Sequence, residues 1–230
     1  MNIRILLLTI FPFIMMAQTD FEKAEKLFND NKFIAAASMY ESILSEDANK
    51  EKILERIGDC YGQTKNWDQS VIYYRKLKNF KPKNADYVYK YGGVLGMKAK
   101  ESNRFVALGL IGEVRKSFEN AIILNPKHIE SRWALIELYL QLPGIIGGSE
   151  TKATKYANEL SKISPVDGHL AKARISDYFD RLKTSEKEYL AAHQVGNSKI
   201  TFQKLHEFYL KKMKDKIKAD KVLAEYNREK

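Results

Sequence analysis

Cysteine is almost absent: Cys60 is the only one in 230 residues. A single thiol excludes an intramolecular disulfide framework and any zinc site built from clustered cysteines. Histidine is scarce as well. His128, His169, His193 and His206 stand far apart, with no i, i+4 pair and no cysteine nearby, so metal ligation would need accidental convergence and surface or packing roles are expected. The G-x-S-x-G nucleophile elbow and the H-E-x-x-H zinc helix are both missing. No nucleic-acid-reading motif is present either. One glycine-rich stretch, Gly144-Ile145-Ile146-Gly147-Gly148-Ser149-Glu150-Thr151-Lys152, invites comparison with a phosphate-binding loop. It lacks the G-x4-G-K-[ST] spacing and no strand precedes it, so its glycines read as the freedom a long turn requires, with Ser149 capping the next helix. No catalysis, cofactor or metal is expected.

What is present suits a folded chain. Hydrophobic residues make up 44%, which excludes general disorder. The formal charge of +10 favours anionic surfaces or acidic partners without specifying nucleic acid. The length allows one or two compact domains or one elongated repeat domain.

Residues 1–17 stand apart from the rest. Met1-Asn2-Ile3-Arg4 is a short basic start, Ile5 to Met16 is apolar apart from Thr9 and Pro12, and a polar stretch begins at Gln18. This is the layout of a secretory signal peptide, too short to serve comfortably as a permanent span. Cleavage after Ala17 and export to a bacterial periplasm are expected; the alternative is an uncleaved N-terminal anchor. No cysteine follows the run, which excludes a lipoprotein anchor.

From Phe21 onward the apolar residues recur at helical spacing, and one stretch sets the ruler. In 51–84, Leu54-x2-Ile57-Gly58-x2-Tyr61 is followed by Ser70-x3-Tyr74 and then Pro82. The small pair Gly58 and Ser70 is expected to let two antiparallel helices approach, with Tyr61, Trp67 and Tyr74 filling the wider space near the ends. Ala36 and Tyr40 lie 34 residues before Ser70 and Tyr74, and Tyr91-Gly92-x2-Leu95 repeats the first-helix pattern 34 residues later. Gly92 to Pro126 spans 34 residues where Gly58 to Pro82 spans 24, so ten residues are inserted within 99–112, lengthening the helices or adding an ordered loop. Leu135-Ile136-x2-Tyr139 opens a fourth copy near Ile129. Its helices are joined by Leu142–Ser149, about five residues longer than the reference turn. Ala173, Tyr189 and Ala192 mark a fifth copy, with Asn197 where proline stood before.

This pattern resembles the tetratricopeptide repeat (TPR), a 34-residue helix–turn–helix with the signature W-x2-L-G-x2-Y…A-x3-F…P. The resemblance covers about residues 20–210. It implies an all-α, TPR-type α-solenoid of about five repeats, at 18–50, 51–84, 85–126, 127–165 and 166–199, closed by C-terminal capping helices over 200–230. The Pro-Gly-Ile-Ile-Gly-Gly-Ser turn is also similar to that of a subgroup of bacterial exported TPR proteins.

As a family, such arrays bind peptides or proteins on a concave groove lined by the first helix of each repeat. By register the resemblance places Glu55, Arg56, Asp59 and Gln63 there, then Tyr89, Lys90 and Met97. Trp133, Glu137 and Gln141 follow from repeat four, and Arg174, Asp177 and Tyr178 from repeat five. Arg56, Tyr89, Lys90, Trp133, Glu137, Arg174 and Tyr178 are the candidate partner contacts. Trp133 leads because aromatic residues and arginine dominate interface energies, with a core-facing helix position as its competing reading. The Lys/Asn carboxylate clamp of chaperone-binding TPRs is not reproduced. Lys211, Lys212, Lys214, Lys216, Lys218 and Lys221 form either a solvated cap face or a contact for an anionic surface. The expected function is a non-catalytic interaction module with a protein or peptide partner. A small-ligand-binding or transport-accessory role using the groove and the insertions is the alternative.

Overall fold

The computed structural model describes residues 19–45 and 49–228; the expected signal segment lies outside them. Among the described residues the chain is helical throughout and no strand occurs. Five hairpins follow one another: α1 (Asp20–Asn29) with α2 (Phe33–Ile43), α3 (Lys50–Gln63) with α4 (Trp67–Phe80), α5 (Ala85–Glu101) with α6 (Arg104–Leu124), α7 (Ile129–Gln141) with α8 (Glu150–Ile163), and α9 (Pro165–Tyr178) with α10 (Leu182–Gly196). Then come α11 (Lys199–Glu207), a π-helical turn at Phe208–Met213, and α12 (Lys216–Arg228). Each helix packs on its neighbours in sequence, and α5–α7 and α7–α9 add contacts between first helices of adjacent hairpins. That stacking makes an α-solenoid, in which each unit finishes its core against the next.

Short polar side chains begin most of these helices. Thr19 and Glu22 form a reciprocal capping box on α1, Asn84 accepts from the Asp86 and Tyr87 amides, and Asn103 accepts from Phe105 and Val106. Each satisfies amides that a helix start leaves without partners. The hairpin turns show a regularity that residue types conceal. Asn31, Lys65 and Asp180 hold the same register in hairpins one, two and five, and all three are left-handed, with φ of 58°, 58° and 53°. In each, the next amide reaches back five residues: Lys32 to Leu27, Asn66 to Tyr61, and Arg181 to Ser176, at 2.8–2.9 Å. This is the Schellman closure of a helix end.

The reference hairpin packs as its residue types predict. Ser70 Oγ donates to the Gly58 carbonyl at 2.8 Å, and a Cβ on Gly58 would lie 2.7 Å from the Tyr74 ring. Ser185 repeats the bond to the Ala173 carbonyl in hairpin five. Cys60 is buried, and burial pushes its thiol up to about 12, so it stays protonated and inert at neutral pH.

The insertion lengthens both helices of hairpin three: α5 has 17 residues and α6 has 21, against 14 each in α3 and α4. In hairpin four the long connection makes one turn of 3-10 helix at Gly144–Ile146, and Ser149 caps α8 as expected. Gly148 is required there, since a Cβ would fall 1.8 Å from the Leu142 carbonyl oxygen. The C-terminal elements are joined to the array by a core of their own. Phe202, Leu205, Phe208, Tyr209 and Val222 pack with Ala173 and Tyr189 of the fifth hairpin.

Candidate partner-binding groove

The first helices are joined by polar fasteners, one set per repeat step. Glu25 of α1 accepts from both Arg56 Nε and Nη2 of α3, at 2.8 and 3.2 Å. Glu55 of α3 pairs with Lys90 of α5, and Tyr87 of α5 donates to Glu51 at 2.8 Å. His128, buried at the start of α7, accepts the Ser131 amide on Nδ1, and its Nε2 lies 3.1 Å from Asp86 of α5. Between α7 and α9 there are two links: Trp133 Nε1 to Asp167 at 2.8 Å, and Arg174 to Glu137 through two bonds of 2.7 and 2.9 Å. Arg56, Lys90, Glu137 and Arg174, chosen from sequence as partner contacts, are thus already engaged by neighbouring repeats.

The fasteners change the acidity of the groups they hold. Burial works to raise the Glu25 carboxyl, but hydrogen bonds from Arg56, Tyr40 and Lys52 outweigh it and hold the group at about 2. Asp59 goes the other way: burial raises it despite the Tyr74 hydroxyl and Lys90.

Three of the sequence-chosen residues meet at one pocket. Trp133 and Glu137 of α7, Asp167, Leu170 and Arg174 of α9, Tyr189 of α10, and Ile200 and Lys204 of α11 enclose about 400 Å³. Asp167 is fixed on both sides: it accepts from Trp133, and its other oxygen takes the Ser164 hydroxyl at 2.6 Å at the cap of α9. Trp133 is half-buried, so it belongs both to the α7–α9 contact and to the pocket wall. Tyr189 is buried beneath, and burial, then Asp177, push its hydroxyl up to about 12. Ile200 is 63% exposed at the rim beside Lys204. Trp133, Leu170 and Tyr189 give the space an apolar interior, with Ile200, the paired charges and Lys204 around it.

The remaining candidates lie elsewhere. Tyr89 is half-buried between Phe118 and His128, with ring centroids 5.7 and 5.2 Å away, which is a packing position. Tyr178 is exposed beyond Arg174, edge-on to Phe179. Of the C-terminal lysines, Lys211 pairs with Glu207, Lys212 with Asp177 and Asp180, and Lys218 with Glu186. Among the described residues no group of three or more His, Cys, Asp or Glu could hold a metal ion, and no helix is long and apolar enough to cross a membrane.

This succession of hairpins has counterparts among solved structures. A thermophilic TPR protein of Thermus thermophilus, TTC0263, superimposes with a TM-score of 0.59 at 12% identity, over 89% of this chain and 97% of that one. The fold is TPR-type. A tetratricopeptide repeat protein of Parabacteroides merdae gives a TM-score of 0.62 at 14% identity, over 90% of this chain and 77% of that one. YrrB, described as a TPR protein with an unusual peptide-binding site, gives 0.52 at 16% identity, over 79% of this chain and 87% of that one. No family model matches the sequence, and no curated protein matches it. The likeness found by comparison therefore rests on structure, and it shows the fold alone.

Proposed function

We propose that this chain is an exported, non-catalytic interaction module that holds a protein or peptide partner along its first helices and takes one apolar side chain into the Trp133–Tyr189 pocket. The observation that carries this is the convergence of Trp133, Glu137 and Arg174 on a space of about 400 Å³ with an apolar interior. Lys204 at the rim adds a cation suited to a carboxylate next to that side chain. The YrrB likeness supports a peptide as the partner class only through the shared fold.

Export rests on the residue order of 1–17. Cell fractionation with N-terminal sequencing of the mature product tests this. A processed periplasmic chain starting near Gln18 is expected, and an uncleaved cytosolic one overturns it.

The binding test compares the wild-type chain with Ile200→Glu, at an exposed rim position where folding is not at stake. Affinity capture from periplasmic extract, read by mass spectrometry, is expected to recover a partner that Ile200→Glu retains at least roughly tenfold less well, equivalent to about 1.4 kcal/mol. Equal recovery by both chains removes the pocket from the interface. Recovery of a small molecule and no protein favours a small-ligand-binding or transport-accessory role, whose supporting observation is a second, separate cleft.

A further inference from the structure

The two irregularities of the array meet in space. The lengthened α5–α6 hairpin and the 142–149 turn enclose a cleft of about 250 Å³, most of whose lining residues belong to the 99–112 insertion and the extended turn. We propose that this cleft binds the hydrocarbon chain of a single free fatty acid, whose carboxylate is held by Lys100 and Arg104.

The walls of the cleft set the chemistry. Gly96 and Ala99 of α5 face Ala107 and Ile111 of α6, and Leu138 and Ile146 close the far side. A Cβ on Gly96 would meet only Val114, at 3.7 Å, so the space next to it is open where a larger residue would have filled it. An apolar cavity of about 150 Å³ is enough to hold benzene, and this one is larger. No acidic side chain lines the cleft. Its only charges are the exposed Lys100 and Arg104, neither of which pairs with a carboxylate among the described residues. The acids and bases around them are committed elsewhere: Lys98 to Asp68, and Glu101 to Trp67 Nε1 and Lys65. An apolar interior under two unneutralised cations is complementary to an anionic amphiphile, because the tail leaves water while the head gains charge-assisted hydrogen bonds. Phe105 and Ile145, next in sequence to the lining residues Arg104 and Ile146, are 86% and 96% exposed and add apolar surface outside the cleft. The concavity favours a single chain over a bilayer, since a flat surface cannot reach Gly96 or Ala107.

This reading deepens the small-ligand alternative and is independent of the Trp133 pocket. Isothermal titration of the full chain with dodecanoate, below its micelle concentration, is expected to show one site per chain. Ala107→Trp, which fills the cleft, and the exposed double reversal Lys100→Glu with Arg104→Glu should each weaken it at least tenfold. Circular dichroism checks that Ala107→Trp still folds; the double reversal serves if it does not. Dodecyltrimethylammonium, with the same tail and the opposite charge, should bind at least tenfold more weakly than dodecanoate. Ile200→Glu should leave dodecanoate binding unchanged, so a failure of the peptide reading and a failure of this one look different. The proposal is overturned if dodecanoate does not bind, if both variants bind it as wild type does, or if the chain floats with phosphatidylglycerol vesicles while ignoring monomeric dodecanoate. Self-association abolished by Ala107→Trp, without dodecanoate binding, would overturn it in favour of a second copy as the occupant.

Discussion

Glu25→Gln should loosen the first hairpin in a way that only neutral pH reveals. Glu25 takes the Tyr40 hydroxyl, both reaching nitrogens of Arg56, and Lys52 at 3.2 Å, with its side chain 20% exposed. Its carboxyl sits at about 2 against an ordinary 4.5. A folded value below the unfolded one means the stabilisation is complete above about pH 4.5 and is lost as the pH falls towards 2. At about 1.4 kcal/mol per pH unit the ceiling is about 3 kcal/mol. Lys52 is half-exposed and solvent screens the cluster, which brings the expected effect down to about 1–2 kcal/mol. Terminal units of an array open before the rest, so a local probe is needed. Amide hydrogen exchange read by mass spectrometry, corrected for the intrinsic pH dependence of exchange, should show α1 and α2 opening about 1–2 kcal/mol more easily in Glu25→Gln at pH 7. At pH 2.5 wild type and variant should be nearly alike. Equal protection at pH 7, or wild-type protection of α1 unchanged between pH 6 and pH 2.5, refutes the assignment of Glu25 as a charged fastener.

Three backbone substitutions probe the packing and the turns. Gly58→Ala forces a methyl to within 2.7 Å of the Tyr74 ring, and urea titration should show a loss of about 1–3 kcal/mol, whereas Gly93→Ala, with nothing within 4 Å, should gain about 0.5–1 kcal/mol from helix propensity. Lys65→Gly relieves a left-handed lysine and forfeits only a loose 3.8 Å ion pair to Glu101, so thermal unfolding should show a gain of about 1 kcal/mol; a loss would mean that the turn is not the strained point.

The 34-residue period was enough to align Gly58 with Ser70, to open a helix at Ile129 and to confine the ten extra residues to hairpin three, because small residues and periodic apolar ones report directly on helix approach. It could not decide between longer helices and a loop, since the inserted stretch contains Gly109 and Gly112 and yet α6 runs through both. The left-handed conformation at Lys65 has no sequence signal, because glycine or asparagine would mark such a position and lysine does not. The fasteners were readable in principle: Glu25 and Arg56, Glu55 and Lys90, and Glu137 and Arg174 are opposite charges 31 to 37 residues apart, close to one repeat. Judged one helix at a time, they looked like free groove positions. Ile200 and Lys204 were out of reach, because the capping segment follows no repeat spacing that would place it over the pocket. The π-helical turn at Phe208–Met213 has no sequence signal of its own.

The fasteners make the array's stiffness negotiable. Arg174 serves Glu137 with two hydrogen bonds, so a ligand carboxylate that recruits Arg174 sets Glu137 free and loosens the joint between the fourth and fifth hairpins. A bound carboxylate and raised salt would then act on the same Arg174–Glu137 link, while Trp133 and Asp167 still hold α7 to α9.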